Sequence, residues 1–268
     1  VGGERSHWLK SCKRSSLAAP PFWPKMAPCL CCGYETDRIT AISGRSTSDP
    51  PFHCCEWCQE EAALLAPEVA DVLVQLEAIP PAFSLWGHGR REDAAEGAVR
   101  TAALPQPAEI ASGLFVGDLG DVANIGRLEE LNIKTVVNLC AEKLHGEYAE
   151  LPARLAEAGI VQAIWLAEDK PHYDIVSKVA QDGACDFIDR RLRAGGVLVN
   201  CWGGVNRSAS VAVAYLVLWQ GVPLVDAVRS AMAVRGTVLT NRSFRLRLAL
   251  AAHAAGRPLL GKVAPDAA

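Results

Sequence analysis

The run VLVNCWGGVNRSASVAVAYLV, Val197–Val217, constrains the fold more than any other part of this chain. It opens with four residues that are too short for a helix, follow a glycine pair and are mostly apolar, which predicts a strand over Val197–Asn200. Cys201 comes next, then the uncharged residues Trp202, Gly203, Gly204, Val205 and Asn206. Arg207 and Ser208 open a helix to Gln220 that is apolar almost all round, and such a helix has to be buried. The loop N–H groups and the helix N-terminus point at one spot, which suits a phosphate dianion. Arg207 can hold two oxygens of that dianion in a fork. Cys201 at the same place is expected to be a thiolate. Gly203 and Gly204 are expected to let the backbone approach the anion closely.

The surrounding pattern alternates between strands and helices. Ile110–Val116 reads as one or two strands, Val122–Leu131 as a helix and Thr135–Leu139 as a strand. Tyr148–Ala158 reads as a helix and Val161–Leu166 as a strand. Asp174–Leu192 reads as one long amphipathic helix, with Val176, Val179, Ala180, Ala184, Phe187, Ile188 and Leu192 inward. Pro223–Val234 and Asn241–Ala254 read as closing helices. The fold class is therefore α/β: a central, mostly parallel sheet flanked by helices, preceded by a small Cys-rich module and a helix. A ligand belongs at the C-terminal end of Val197–Asn200. Arg190, Arg191 and Arg193, and Arg242, Arg245 and Arg247, read as solvated helix faces.

Five segments are expected: an extension or disordered tail over 1–25, a Cys-rich module plus helix over 26–79, a Pro/Gly-rich linker over 80–104, a catalytic domain over 105–258 and a flexible tail over 259–268. The first methionine is Met26. Helical spacing in 61–79 is interrupted by Pro67, which predicts two helices or a fresh start there. A net charge of −3 implies no bulk attraction to nucleic acid or an anionic membrane. No apolar run reaches the ~18 residues of a membrane span, and no apolar leader is recognisable. The expected location is the cytoplasm, with the nucleus as alternative. The ten cysteines then read as thiols or metal ligands. Cys29 with Cys32, and Cys55 with Cys58, form two C-x2-C pairs suited to one structural zinc, with Cys31, His53 and Cys54 as spare ligands. The Asn-Arg-Ser triplets at Asn206 and Asn241 carry no glycosylation meaning in such a chain.

Cys201-x5-Arg207-Ser208 resembles the His-Cys-x5-Arg-Ser/Thr signature of cysteine-dependent protein phosphatases. Three flanking stretches, Glu109–Glu142, WLAEDKPHYDI and Thr237–Leu248, narrow the resemblance to dual-specificity phosphatases over about Pro105–Ala255. The resemblance implies metal-independent hydrolysis of phosphotyrosine and phosphoserine/threonine through a cysteinyl-phosphate. Cys201 would be nucleophile and Arg207 the phosphate clamp. Asp169 would be general acid, with Glu168 the adjacent alternative, and Ser208 would assist departure of the sulfur. Residues 202–207 would line the substrate site; their lack of lysine favours a phosphoprotein over inositol phosphates. Cys140 stands near where some relatives keep a resolving thiol. The family histidine before the nucleophile is Asn200 here. Two other readings stand beside this one: a pseudophosphatase that binds phosphoproteins, and an RNA 5′-triphosphatase. A monomer acting on a phosphoprotein, with no nucleic-acid or membrane partner, is expected.

Overall fold

The computed structural model describes residues 66–80, 107–171 and 173–261, together with the backbone of four short strands nearer the N-terminus. Those strands form two antiparallel hairpins, Ala27–Pro28 with Glu35–Thr36 and Ile39–Ile42 with Phe52–Cys55. The expectations for residues 1–25 and for the linker fall outside the described residues, apart from Pro80.

Five strands form one sheet: β1 (Ala108–Ala111), β2 (Leu114–Gly117), β3 (Ile133–Asn138), β4 (Val161–Ile164) and β5 (Gly196–Asn200). Their order is β1-β2-β5-β3-β4. All neighbours are parallel except β1 and β2, an antiparallel hairpin. The strand that leads to Cys201 is central and buried at every residue.

Side chains alternate across the pleat into two cores. Leu114, Val116, Val197 and Val199 join the larger one. Phe115, Val136 and Leu198 join the smaller one. The smaller core is covered by α2 (Leu119–Ala123), α3 (Ile125–Glu130) and α4 (Leu151–Glu157). The larger is covered by α1 (Pro67–Ala78), α5 (Ile175–Gln181), α6 (Ala184–Leu192), α7 (Arg207–Ala214), α8 (Leu224–Arg235) and α9 (Arg242–Ala254).

Pro67 starts α1, where its missing N–H costs nothing. Val69, Val72, Leu73 and Leu76 of this helix are buried in the larger core. The helix expected to accompany the Cys-rich module is thus built into the sheet domain. At the other end, the carbonyls of Pro258, the last residue of the expected domain, and Leu259, the first of the expected tail, accept from the N–H groups of Leu224 and Val225 at 3.1 Å.

Two expected helices are each a pair. Gly183, at φ 62°, separates α5 from α6, and Ala180 is exposed instead of inward. Asn124 closes α2 and caps α3, its side chain accepting from the Arg127 N–H. The central helix continues past Ala214 as a π turn over Tyr215–Trp219. The arginine clusters are engaged: Arg190 with Asp186, Arg193 with Asp189, Arg191 with Thr135 Oγ1, and Arg242 and Arg245 with Glu77. No helix among the described residues is long and apolar enough to cross a membrane.

Candidate active site

Cys201 directly follows β5 and is 2% exposed, and its Sγ lies 3.3 Å from Ser208 Oγ in the first turn of α7. Arg207 opens the same helix and is buried. Its Nη1 donates to the Leu139 and Ala167 carbonyls at 3.4 and 3.2 Å and to Glu142 Oε1 at 3.2 Å. Its Nε is buried with no hydrogen-bond partner. One nitrogen of the guanidinium is thus tied back, and a buried donor is left over. An oxyanion beside Cys201 would satisfy it, because a buried unpaired donor costs about 1–3 kcal/mol.

Gly204 sits at φ 64°, and a Cβ there would fall 2.2 Å from Arg235 Nη2 and 2.7 Å from the Gly117 carbonyl carbon. The expected reason for this glycine, close approach to a ligand, is joined by close approach of protein behind the loop. Arg235 is 1% exposed and joins Asp121 at 3.3 Å, Asp118 at 3.6 Å and the Gly204 carbonyl at 3.3 Å. Asp118 and Asp121 also form a reciprocal capping box on α2, each accepting the other's backbone N–H at 2.8 Å. Burial, then the nearby Asp118, pushes the Asp121 carboxyl up to about 6 against the pull of Arg235.

Asp169 meets the loop from the other side. Asn206 Nδ2 donates to its oxygens at 3.1 and 3.3 Å, and Asn241 Nδ2 donates to Oδ1 at 3.1 Å. Glu168 instead pairs with Lys170 at 2.6 Å. Trp202 is 49% exposed at the rim, edge-on to Tyr148 at 6.5 Å, with Lys143 Nζ 5.9 Å from its ring centre. Gly203 is half-buried, Val205 is 8% exposed and Asn206 half-buried. The sequence-derived candidates Cys201 to Ser208 and Asp169 therefore converge. The metal candidates do not enter this comparison: Cys29, Cys32 and Cys58 lie outside the described residues, and only the backbone of Cys55 is described.

Asn200 is wholly buried. Its Nδ2 donates to Cys140 Sγ at 3.8 Å, while its Oδ1 and the Nδ2 of its cross-strand neighbour Asn138 have no partner. Burial pushes the Cys140 thiol up to about 12, with the charge of neighbouring Cys201 adding to it. Cys140 is therefore protonated at neutral pH.

Arg235, Asp118, Asp121, Glu142 and Asn241 were not among the sequence candidates. Nothing local marks the first three, since Asp121 and Arg235 meet across most of the domain. Asn241 was visible only as part of a glycosylation-like triplet.

A thiol, a clamp with a spare donor and a carboxyl at the far rim can together carry out displacement at phosphorus. The family model for the dual specificity phosphatase catalytic domain matches residues 114–253. Dual specificity protein phosphatase 26 of Bos taurus is 35% identical over 142 residues, covering 52% of this chain and 64% of that protein. The chain thus spans less than two thirds of that relative's length. Dual specificity protein phosphatase 13B of Mus musculus is 30% identical over 156 residues, covering 56% of this chain and 74% of that protein. The crystal structure of human DUSP28 is 24% identical, with a TM-score of 0.48, over 57% of this chain and 98% of that one. By the match of the catalytic-domain family model over residues 114–253, the chain belongs to the dual specificity phosphatase family.

Proposed function

We propose that the chain hydrolyses phosphotyrosine and phosphoserine/threonine in proteins through a cysteinyl-phosphate. The observation that carries this reading is the partnerless Nε of buried Arg207, at the helix start whose Ser208 Oγ lies 3.3 Å from Cys201 Sγ. The Cys201 thiolate attacks phosphorus, the S–P bond forms and the ester P–O bond breaks, while Asp169 gives its proton to the leaving oxygen. Asp169 then takes a proton from water as that water attacks phosphorus. The S–P bond breaks, the Ser208 hydroxyl donates to the departing sulfur, and inorganic phosphate leaves. Arg207 and the loop N–H groups hold the charge that builds on the equatorial oxygens. Trp202 and residues 203–206 line the substrate site.

The uncharged loop favours a phosphoprotein monoester, and the chemistry needs no metal or cofactor. We also read Cys29, Cys32, Cys55 and Cys58 as ligands of a structural zinc, a reading supported by their doubled spacing. The location is read as cytoplasmic or nuclear, and the chain as a monomer.

Turnover of an aryl phosphate in the presence of chelator tests the assignment. Cys201→Ser is expected to abolish turnover while phosphate still binds, and vanadate should inhibit the unaltered protein as a mimic of the transition state. Turnover that survives Cys201→Ser would refute the assignment.

A further inference from the structure

Glu77, at the end of α1, reaches the N-terminus of α9. Its carboxylate binds Arg242, and Arg245 at 2.7 Å. These are the first and fourth residues of α9. A cation at the positive end of a helix is unfavourable unless it is compensated. Glu77 supplies that compensation from a different element. Arg245 also works on its other edge, where Nε donates to the Leu239 carbonyl at 2.6 Å.

Leu239 is wholly buried at φ 55°, a left-handed conformation that a branched side chain adopts only when its surroundings impose it. Its N–H donates to the Val205 carbonyl of the phosphate loop at 2.9 Å. The next two residues continue the connection. Thr240 Oγ1 and the Asn241 N–H each donate to Asn206 Oδ1 at 3.0 Å. Asn241 Nδ2 then donates to Asp169 Oδ1 at 3.1 Å and to the Lys170 carbonyl at 3.3 Å.

We infer that Glu77 is a positioning residue for Asp169, acting through Arg245 and the Leu239–Asn241 bend, so that a helix preceding the matched domain sets the acid loop. The inference rests on Asp169 being the general acid. Without the carboxylate, the two arginines lose the anion they share at the positive end of α9. Arg245 then releases the Leu239 carbonyl, the left-handed bend relaxes, and Asn241 withdraws from Asp169.

The test is Glu77→Gln in the full chain, read in two ways. Amide hydrogen exchange is expected to quicken roughly tenfold at both 239–241 and 168–170. Turnover should fall roughly fivefold for a phosphate ester with a poor leaving group, and less than about twofold for an activated one, because only the former needs the acid. Adding Arg242→Gln, which removes one positive charge from this helix start, should restore at least half of the loss. Faster exchange at 239–241 with 168–170 unchanged, or equal losses on the two esters, would overturn the inference. If the unaltered protein turned over neither ester, the proposed function would fall, and exchange at 168–170 would still decide the role of Glu77.

Discussion

Asp169 and Glu168 are adjacent acids with the same chemistry, and their partners separate them. Asp169 faces two amide donors, one on the phosphate loop and one on the N-cap of α9, whereas Glu168 faces Lys170. Asp169→Asn is therefore expected to slow turnover of a poor-leaving-group ester by roughly 10²-fold or more, within the usual span of general acid catalysis. Glu168→Gln should change it by less than about twofold, since a surface ion pair carries little energy. Comparing the two variants on phenyl and nitrophenyl esters checks both expectations. A larger loss for Glu168→Gln would reverse the assignment. The family resemblance pointed to an acid in this region, but only the side-chain partners distinguish one carboxyl from its neighbour.

Among the elements, α1 has the widest consequence. Its apolar spacing was plain in the sequence, yet its destination was not, because periodicity shows that a helix has a buried face and not what covers it. Leu76 is wholly buried against the larger core. Leu76→Ala is expected to destabilise the fold by about 2–5 kcal/mol in urea unfolding, the usual cost of a buried cavity. A cost below about 1 kcal/mol would mark α1 as detachable from the domain expected over 105–258. The break at Gly183 shows a complementary limit. One amphipathic pattern runs through 174–192, and a single left-handed glycine re-aims its second half.

At the scale of the molecule, Arg235 and Asp121 fasten the C-terminal helices to the β2–α2 corner directly behind the phosphate loop. The Asp121 carboxyl lies at about 6 against an ordinary 3.8. The folded state therefore holds this proton more tightly than the unfolded chain. The resulting stabilisation is complete below about 3.8 and is lost as pH rises through about 6. The stability of the unaltered protein relative to Asp121→Asn, from urea midpoints, should accordingly decline between pH 4 and 7. A relative stability that grows with pH over this range would show that the Arg235 pair outweighs burial. The layered α/β class, the strand before Cys201 and the candidacy of Cys201 and Arg207 as nucleophile and clamp were legible in the sequence. These follow from local signals: an apolar run, a loop without charge, an arginine at a helix start. Tertiary structure alone decided what stands behind and around that loop: Arg235 on Asp121, Glu142 on Arg207, Asn241 on Asp169 and Glu77 on α9. Each pair joins residues far apart along the chain whose types are common on any surface, so no local pattern marks them; folding selects them by bringing them into contact.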